Sequence, residues 1–239
     1  MAHGWQGAVL KLMRGRDFTL TVRSNERISD RVHRLSFSDG GLLRNTSVHP
    51  TMWVRLWFDD DGRPHQRAYT LVTPAPEAGT FTVDFVLHPG PASDWARAAQ
   101  PGDTVEATVQ GSRFTVPATE PSRLFVVGDP ASRPAIDSLL DALPRAPATI
   151  WFETSHPADT DHTPSGGDAP REVITVPRRN GGTHLAATVR GALPDLLDDD
   201  AYLWIACDTA TTRALASFAR KQLRMPKDRV HALGYWQPT

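Results

Sequence analysis

Apolar and polar residues alternate with a period of two along the first half of the chain, which is the pattern of strands with one buried face. The alternating runs occupy residues 17–22, 32–37, 51–58, 67–72 and 80–87. Turn sequences such as SDGG, DDDG and TPAPEAG separate them, because Gly, Asp and Pro supply the unusual backbone angles that turns require. With up to six strands before residue 110, the pattern predicts a six-stranded antiparallel β-barrel.

The second half has a different pattern, in which apolar runs of strand length alternate with helical stretches. The predicted strands are RLFVVGD, ATIWFE, EVITVP, YLWIACD and RVHALGYW. The predicted helices are SRPAIDSLLDAL, a short stretch at 184–189 and TATTRALASFARKQL. This alternation indicates an α/β domain built on a doubly wound parallel sheet. The proline-rich segment 117–121 separates the two patterns, so we expect one domain over residues 1–118 and a second over 119–239.

Composition narrows the possible functions. The chain has 40% hydrophobic and 22% charged residues, which is typical of globular proteins. Its 26 Lys and Arg against 27 Asp and Glu give a net charge of −1, without the basic surplus of a nucleic-acid-binding protein. No apolar run reaches the roughly 18 residues of a membrane span, and the first residues lack a signal-type apolar core. We therefore expect a soluble, cytoplasmic monomer with no nucleic-acid partner and no integral membrane segment.

Thiol and metal chemistry have little support in the sequence. The single cysteine, Cys207, cannot form an intramolecular disulfide, which favours a reducing compartment. The nine histidines show no HExxH spacing, so we expect no metal bound by the protein's own side chains.

The sequence RAYT at the end of a predicted strand combines three kinds of ligand-binding group. Arg67 offers a charge for a phosphate, Tyr69 an aromatic face for a planar ring, and Thr70 a hydroxyl and a backbone amide for a ring nitrogen. Ala68 lies between them. On a strand Arg67 and Tyr69 share one face while Thr70 points to the other, so the group could line a groove along a dinucleotide. The alternative is an ordinary strand with an exposed Arg and a half-buried Tyr.

The sequence HPGPASDWARAA follows a predicted strand directly and opens a predicted helix. Gly90 allows a tight turn and Pro91 suits the first helical position. The amides of Ala92 and Ser93 would then point outward at the positive end of the helix, where a pyrophosphate can bind. The alternative is a strand-to-helix turn that Ser93 merely caps, with a structural His88. The candidate cofactor contacts of this segment are His88, Gly90, Pro91, Ala92, Ser93 and Trp95.

Two strand ends in the second half carry further candidates. VVGDPASRPA runs from a strand through a turn of small residues into a helix, and it places Gly128 and Asp129 at the edge where open α/β sheets bind ligands. The fingerprint GxGxxG is absent, so a pyridine nucleotide must bind in another style. WIACD brings Cys207 and Asp208 to the same edge. Cys207 is either a contact there or a small buried filler.

RAYT, GPAS, VGD, ACD and a terminal GYW, in this order, resemble the siderophore-interacting proteins, which are FAD-dependent ferric-siderophore reductases of the ferredoxin-reductase superfamily. The resemblance extends from about Asp17 to Trp236. It implies an FAD-binding barrel followed by an NAD(P)H-binding domain. It further implies a role in iron uptake, in which hydride passes to non-covalent FAD and single electrons pass to Fe(III) of a ferric siderophore.

The resemblance also implies residue roles. Arg67 would meet the FAD pyrophosphate, and Tyr69 and Thr70 would contact the flavin as the catalytic residues. Ala92 and Ser93 would give amides to the phosphates. The remaining cofactor contacts would lie on the nicotinamide side and would be Gly128, Asp129, Cys207, Asp208 and Trp236.

The sequence departs from the family pattern at several positions. RxYTxR ends in Val72, HGxxGPA is shortened to HPGPA, and the usual AGE becomes Ala206, Cys207, Asp208. Pro130 removes a backbone amide from the turn after the first strand of the second domain. Two arginines, Arg178 and Arg179, follow the third strand of that domain, in the loop that reaches the adenosine 2′ position in this superfamily. The resemblance therefore implies a preference for a nucleotide with a 2′-phosphate, NADPH over NADH.

A basic run near the end of the chain suggests how substrate is recruited. Many ferric siderophores are anionic, so we expect an open, basic-rimmed cleft beside the flavin. The candidate charges are Arg133, Lys221, Arg224 and Lys227. The alternative for the basic run is a solvated helix face. Two functional alternatives stay open: a flavin oxidoreductase with another electron acceptor, and a non-catalytic siderophore- or flavin-binding protein.

Overall fold

A computed structural model describes residues 16–238 of the chain. The expected lack of a signal peptide concerns residues that lie outside this range. The chain divides into two units, one ending at Thr115 and the other beginning at Val116, three residues before the domain boundary that the sequence predicts. Within residues 16–238 no helix is long and apolar enough to span a membrane.

Over residues 16–115, the N-terminal unit is an antiparallel sheet with two helices. Its strands are β1 (Arg16–Ser29), β2 (Val32–Ser38), β3 (Trp53–Asp60), β4 (Arg63–Thr70), β5 (Val72–Ala75), β6 (Thr80–Val86) and β7 (Thr104–Val109). Its helices are α1 (Leu42–Asn45) and α2 (Pro91–Ala98). The strand order across the curled sheet is β4-β3-β7-β1-β2-β6-β5.

The sheet has seven strands, so the prediction of six was wrong in its count. The predicted fourth strand at 67–72 is divided at Leu71. Before this residue β4 pairs with β3, and after it β5 pairs with β6. The Leu71 amide donates to the carbonyl of Met52 at 2.8 Å, and Thr73 has a positive φ of 44°. A change of pairing partner at a bend ends one strand and begins another without any break in the apolar pattern.

Period-two alternation produces the core of this unit. Leu35 and Phe37 of β2, Val54 and Leu56 of β3, and Phe85 of β6 are all at most 1% exposed, and they pack against one another inside the curl. Burial of such side chains is the main stabilising contribution of a small sheet of this kind. Tyr69 of β4 and Trp95 of α2 pack against this core.

The C-terminal unit is a parallel sheet with helices between its strands. The strands are β8 (Leu124–Gly128), β9 (Ala148–Thr154), β10 (Arg171–Pro177), β11 (Tyr202–Ala206) and β12 (Val230–Ala232), in the order β10-β9-β8-β11-β12. The helices are α3 (Arg133–Ala142), α4 (Thr183–Leu196) and α5 (Thr209–Lys221). All residues of β8, β9 and β11 are buried, as continuous apolar strands of a parallel sheet require. The predicted parallel α/β domain is therefore present.

Two local features position the carboxyl edge of this sheet. Gly128 ends β8 where α3 approaches so closely that a Cβ would lie 2.5 Å from Cδ1 of Ile136. After β12 the chain follows β11 to its end, because the amides of Leu233 and Tyr235 donate to Ile205 and Cys207. This path brings Trp236 to the edge formed by the ends of β8, β9 and β11.

Candidate cofactor sites

Arg67 and Ala68 are exposed near the end of β4, as a ligand-contacting position requires. The Arg67 side chain donates from Nη1 to the carbonyl of Gln66 at 2.9 Å. A guanidinium carries five N–H groups, so this single bond to an exposed carbonyl leaves donors that face solvent. An exposed guanidinium with these remaining donors can contact a phosphate.

Thr70 has a buried hydroxyl without a hydrogen-bond partner among the described residues. The residue is 6% exposed, and its Oγ1 is fully inaccessible. A buried polar group left unsatisfied costs roughly 1–3 kcal/mol, so such a group is uncommon unless a ligand completes it. Thr70 adjoins Tyr69 on the strand predicted to meet the flavin, and its unsatisfied hydroxyl is the strongest structural indication of a cofactor here.

Tyr69 belongs to an aromatic cluster at the rim of the inner face. Its ring lies 4.4 Å from that of Phe85, centroid to centroid, and meets Phe58 edge-on at 6.3 Å. Burial raises the pKa of the Tyr69 hydroxyl, so the phenol remains a hydrogen-bond donor. Trp95 of α2 packs against Phe58 at 5.5 Å and Phe37 at 6.5 Å. Trp95 therefore anchors α2 to the sheet, a packing role that the motif alone does not show.

The start of α2 has the backbone geometry predicted from GPAS. Gly90 has a φ of +140°, which disfavours a side chain, and Pro91 occupies the first turn. The carbonyl of Gly90 accepts from the amides of both Ser93 and Asp94 at 3.1 Å, so the Ser93 amide is engaged within the turn. The Ser93 hydroxyl accepts from the His88 amide at 3.1 Å. Ala92, the second residue of the helix, is the position at which an amide is left for an anion.

His88 is exposed beside this turn. Its ring nitrogen Nδ1 donates to the carbonyl of Pro89 at 2.9 Å. This contact orients the imidazole locally, and His88 stays a predicted cofactor contact.

In the C-terminal unit, Asp129 has its carboxylate bound within its own turn. Oδ1 accepts from the amides of Ala131 at 3.0 Å and Ser132 at 3.1 Å. Oδ2 accepts from the indole N–H of Trp236 at 2.6 Å. Burial raises the pKa of Asp129 to about 6, even though these three hydrogen bonds favour the charged form.

A second buried carboxylate group lies beside it at the same sheet edge. Glu153 of β9 is 1% exposed, and Asp208 is fully buried at the start of α5, where Oδ1 accepts from the Thr211 amide at 3.0 Å. Both carboxylates pair with Arg178, which contacts Asp208 at 3.2 Å and Glu153 more closely. The Arg178 guanidinium also lies over the Trp236 ring, 4.7 Å from its centroid. Arg178, predicted as a ligand of a 2′-phosphate, is thus a counter-ion for two buried acids.

The electrostatics of this group follow from burial and pairing. Burial raises the pKa of Glu153, and Oε1 of this residue has no hydrogen-bond partner among the described residues. Burial works in the same direction on Asp208, but hydrogen bonds from Thr211 and pairing with Arg178 lower its pKa overall. Glu153 is the member of the group that sequence reasoning missed. Its one signal was an acid at the end of an otherwise apolar strand.

Cys207 is fully buried and is not available as a nucleophile. Its Sγ lies 3.4 Å from Oγ1 of Thr212 on α5. Burial raises the pKa of the thiol, and the nearby Asp129 adds to this shift. The structure therefore agrees with the buried-filler alternative.

The remaining predicted residues are distributed over the C-terminal unit. Arg179 is exposed after β10. Lys221, Arg224 and Lys227 are exposed around the end of α5. Arg133 forms an ion pair with Asp137 one turn further along α3, at 3.0 Å.

These residues fit one of the two predicted cofactors. The unsatisfied Thr70 hydroxyl, the solvent-facing Arg67 and the first turn of α2 fit a flavin nucleotide on the N-terminal unit. The turn after β8 does not fit a pyrophosphate, because Asp129 already accepts from its amides and Pro130 has none to offer.

Comparison with known protein families also indicates an FAD-binding N-terminal unit. Residues 22–111 match the family described as "Siderophore-interacting FAD-binding domain", and residues 121–239 match "Siderophore-interacting protein". The chain belongs to the siderophore-interacting protein family. The fold is shared with a ferredoxin-NADP+ reductase from Plasmodium falciparum, which superimposes with a TM-score of 0.65 at 12% identity, over 92% of this chain and 96% of that one.

Individual proteins of known name are similar to this chain over most of its length. The mycobactin import ATP-binding/permease protein IrtA of Mycolicibacterium smegmatis is 32% identical over 243 residues, which cover 99% of this chain. The chain spans only 28% of the length of that relative. The ferric acinetobactin reductase of Acinetobacter baumannii is 22% identical over 79% of this chain and 67% of its own length. A siderophore-interacting protein structure from Acinetobacter baumannii has a TM-score of 0.77 at 22% identity, over 93% of this chain and 90% of that one.

Proposed function

We propose that this protein is a cytoplasmic FAD-dependent reductase that transfers electrons from a reduced nicotinamide nucleotide to a ferric siderophore and so releases iron as Fe(II). The observation that carries the proposal is the buried, unsatisfied hydroxyl of Thr70 on a strand that also presents Arg67. This strand belongs to the segment that matches a siderophore-interacting FAD-binding family. The likeness to a ferric acinetobactin reductase supports the choice of substrate.

The chain's own residues hold and orient the cofactor. Arg67 would bind the pyrophosphate by charge-assisted hydrogen bonds, and the Ala92 amide at the start of α2 would add a second phosphate contact. Tyr69, which packs against Phe85, would contact the flavin. The Thr70 hydroxyl would hydrogen-bond the flavin ring. When bound, FAD supplies the chemistry that accepts two electrons as a hydride and releases them one at a time, as the Fe(III)/Fe(II) couple requires.

The iron is substrate and needs no ligands from the protein. Fe(III) is a hard ion held by the oxygen atoms of the siderophore, and reduction to Fe(II) weakens this hold. Two Fe(III) centres are reduced for each nicotinamide nucleotide oxidised. Exposed basic residues near the end of α5 would attract anionic ferric siderophores.

The donor is proposed to be NADPH in preference to NADH, with recognition of the 2′-phosphate by Arg179. This residue is exposed, whereas Arg178 is committed to Glu153 and Asp208. Arg179→Ala should raise the KM for NADPH and leave the KM for NADH unchanged. Equal losses with both nucleotides would show that Arg179 does not recognise the phosphate.

The whole activity can be tested with the FAD-loaded chain under anaerobic conditions. The assay follows flavin absorbance and a coloured Fe(II) chelate after addition of NADPH and then of ferric mycobactin or ferric acinetobactin. Fe(II) should form only when flavin, nucleotide and ferric siderophore are all present. Flavin bleaching without Fe(II) would indicate another acceptor. Siderophore binding without bleaching would indicate a non-catalytic carrier.

A further inference from the structure

The turn between β8 and α3 is the position at which α/β nucleotide-binding domains hold a pyrophosphate. At such a turn the backbone amides and the positive end of the helix together attract an anion. α3 is ten residues long and begins directly after this turn. Its amides should therefore decide how a dinucleotide binds to the unit.

In this chain an anion from the protein itself already occupies the turn. The carboxylate of Asp129 accepts from the amides of Ala131 and Ser132. The Asp129 amide donates to the Ser132 hydroxyl at 2.9 Å. Pro130 and Pro134 have no amide hydrogen. A phosphate at this place would have to displace the carboxylate or lie beside a like charge.

The carboxylate is also locked in position from the other side. The indole N–H of Trp236 donates to Oδ2 of Asp129. The Trp236 carbonyl accepts two hydrogen bonds from Thr209, one from its amide at 2.9 Å and one from its hydroxyl at 3.0 Å. The Trp236 ring lies under Arg178, which is itself fixed by two buried acids. Movement of Asp129 out of the turn would therefore disturb a network that joins the ends of β8, β9 and β11.

We propose that Asp129 is a specificity-determining residue that excludes the pyrophosphate of nicotinamide dinucleotides from the α3 turn, so that these nucleotides bind this chain weakly and without contact to the turn. The inference rests on the proposed function for the identity of the donor. It concerns where and how tightly the nucleotide binds, and not whether electrons reach iron.

Binding of oxidised nucleotides tests this without any turnover. NAD+ and NADP+ are titrated into the FAD-loaded chain by calorimetry, and amide hydrogen exchange is measured over residues 128–136 with and without nucleotide. In the wild type, neither nucleotide should slow exchange in this segment. Asp129→Gly, which frees the amides of Ala131 and Ser132, should tighten binding about tenfold or more and bring protection to the segment.

Asp129→Asn is the matched variant, because its side-chain oxygen still accepts from the two amides while the charge and the hydrogen bond accepted from Trp236 are lost. If nucleotide affinity rises less in Asp129→Asn than in Asp129→Gly, occupation of the amides excludes the phosphate. If the affinity rises equally in both variants, repulsion by the carboxylate charge excludes it. If Asp129→Gly does not fold, Asp129→Ala, which also frees the amides of Ala131 and Ser132, takes its place.

Two results would overturn the inference. One is protection of residues 128–136 by either nucleotide in the wild type. The other is the absence of any gain in a folded variant that frees the two amides, Asp129→Gly or Asp129→Ala. Failure of the proposed function would instead appear as absent Fe(II) in the anaerobic assay, whatever these titrations show.

Discussion

The indole N–H of Trp236 donates to the buried carboxylate of Asp129 at 2.6 Å and so joins two residues that are 107 positions apart in the sequence. This bond ties the C-terminal segment of the chain to the beginning of the first helix of its sheet. Arg178 lies over the same indole and neutralises Glu153 and Asp208. The carboxyl edge of the parallel sheet is therefore held by a polar network of three acids, one guanidinium and one indole.

Asp129 should make the stability of the protein depend on pH in a defined interval. Burial raises its pKa from 3.8 in an unfolded chain to about 6, and the nearby Glu153 acts in the same direction. The folded state thus keeps a proton that the unfolded state has lost. The stability from this group is complete below about pH 4 and is lost as the pH rises through 6, with a total of roughly 3 kcal/mol.

Urea unfolding of wild type and Asp129→Asn from pH 4 to pH 7 measures this effect. The free energy of unfolding of wild type should fall relative to that of the variant as the pH rises. Glu153 and Cys207, which interact electrostatically with this carboxylate, are present in both proteins, so their own titration cancels to first order. Asp195→Asn on the exposed face of α4 controls for the loss of one charge. A constant difference between wild type and Asp129→Asn would contradict the raised pKa.

Arg178 should contribute to stability rather than to nucleotide recognition. Its removal leaves Glu153 and Asp208 buried without a counter-ion, and such a loss typically costs 3–5 kcal/mol. Arg178→Ala should therefore lower the free energy of unfolding by about 3 kcal/mol or more. Arg179→Ala, the exposed neighbour, should change it by less than about 0.5 kcal/mol.

A second substitution separates this role from simple loss of packing. Glu153→Gln in the Arg178→Ala background removes one of the uncompensated charges and should restore part of the lost stability. If the double variant is no more stable than Arg178→Ala, the ion pairs are not the source of the effect.

The sequence predicts the fold well where local pattern determines structure. Period-two runs identify β1, β2, β3 and β6 of the first unit and parts of β4 and β5, but none of them covers β7. Continuous apolar runs identify β8, β9 and β11 of the second unit. The division of one predicted strand at Leu71 is not visible in this way, because it results from a change of pairing partner from β3 to β6. Such pairing is decided by residues distant in sequence.

The same limit applies to the candidate site. Arg178 has the position of a phosphate-binding arginine when only its own segment is considered. Its pairing with Glu153 joins residues 25 positions apart on neighbouring strand ends, which no spacing rule reveals. The closed turn of Asp129 is different, since an Asp whose side chain binds amides two and three residues later is a local pattern. The segment DPAS contained that signal.

Arg67 should contribute strongly to flavin affinity. A charge-assisted contact to phosphate is worth roughly 1.5–3 kcal/mol, so Arg67→Ala should weaken FAD binding about tenfold or more. Arg63→Ala is the matched control, because Arg63 is also exposed on β4 but lies at the other end of the strand. Fluorescence titration of the apoprotein with FAD gives both affinities. Equal affinities in the two variants would exclude Arg67 as the phosphate contact.

Thr70 should show opposite effects on the apoprotein and on the flavin complex. Thr70→Val replaces a buried hydroxyl, which lacks a protein partner among the described residues, by a methyl group of similar shape. The apoprotein should keep its stability or gain up to about 1 kcal/mol. FAD binding should weaken several-fold, because the hydrogen bond to the ring is lost.

Thr70→Ser keeps the hydroxyl and should retain FAD affinity near that of wild type. Thermal unfolding with and without FAD measures the stability of the apoprotein and of the flavin complex for Thr70→Val and Thr70→Ser. An unchanged FAD affinity in Thr70→Val, together with a destabilised apoprotein, would mean that the hydroxyl has another role.

The basic run at the end of α5 should act on substrate affinity and not on chemistry. Lys221 and Lys227 are exposed, and their charges act through a field that is screened over roughly 10 Å at 0.1 M salt. The double variant Lys221→Glu/Lys227→Glu should raise the KM for an anionic ferric triscatecholate at low salt, and this difference should fade as salt is added. The kcat and the KM for a neutral ferric trishydroxamate should stay near wild type, because a neutral complex feels little of this field. Arg213→Glu, a charge reversal at the opposite end of the same helix, should have a smaller effect. If both substrates are lost equally, or if salt has no influence, the basic run is a solvated helix face and anionic siderophores are recognised elsewhere.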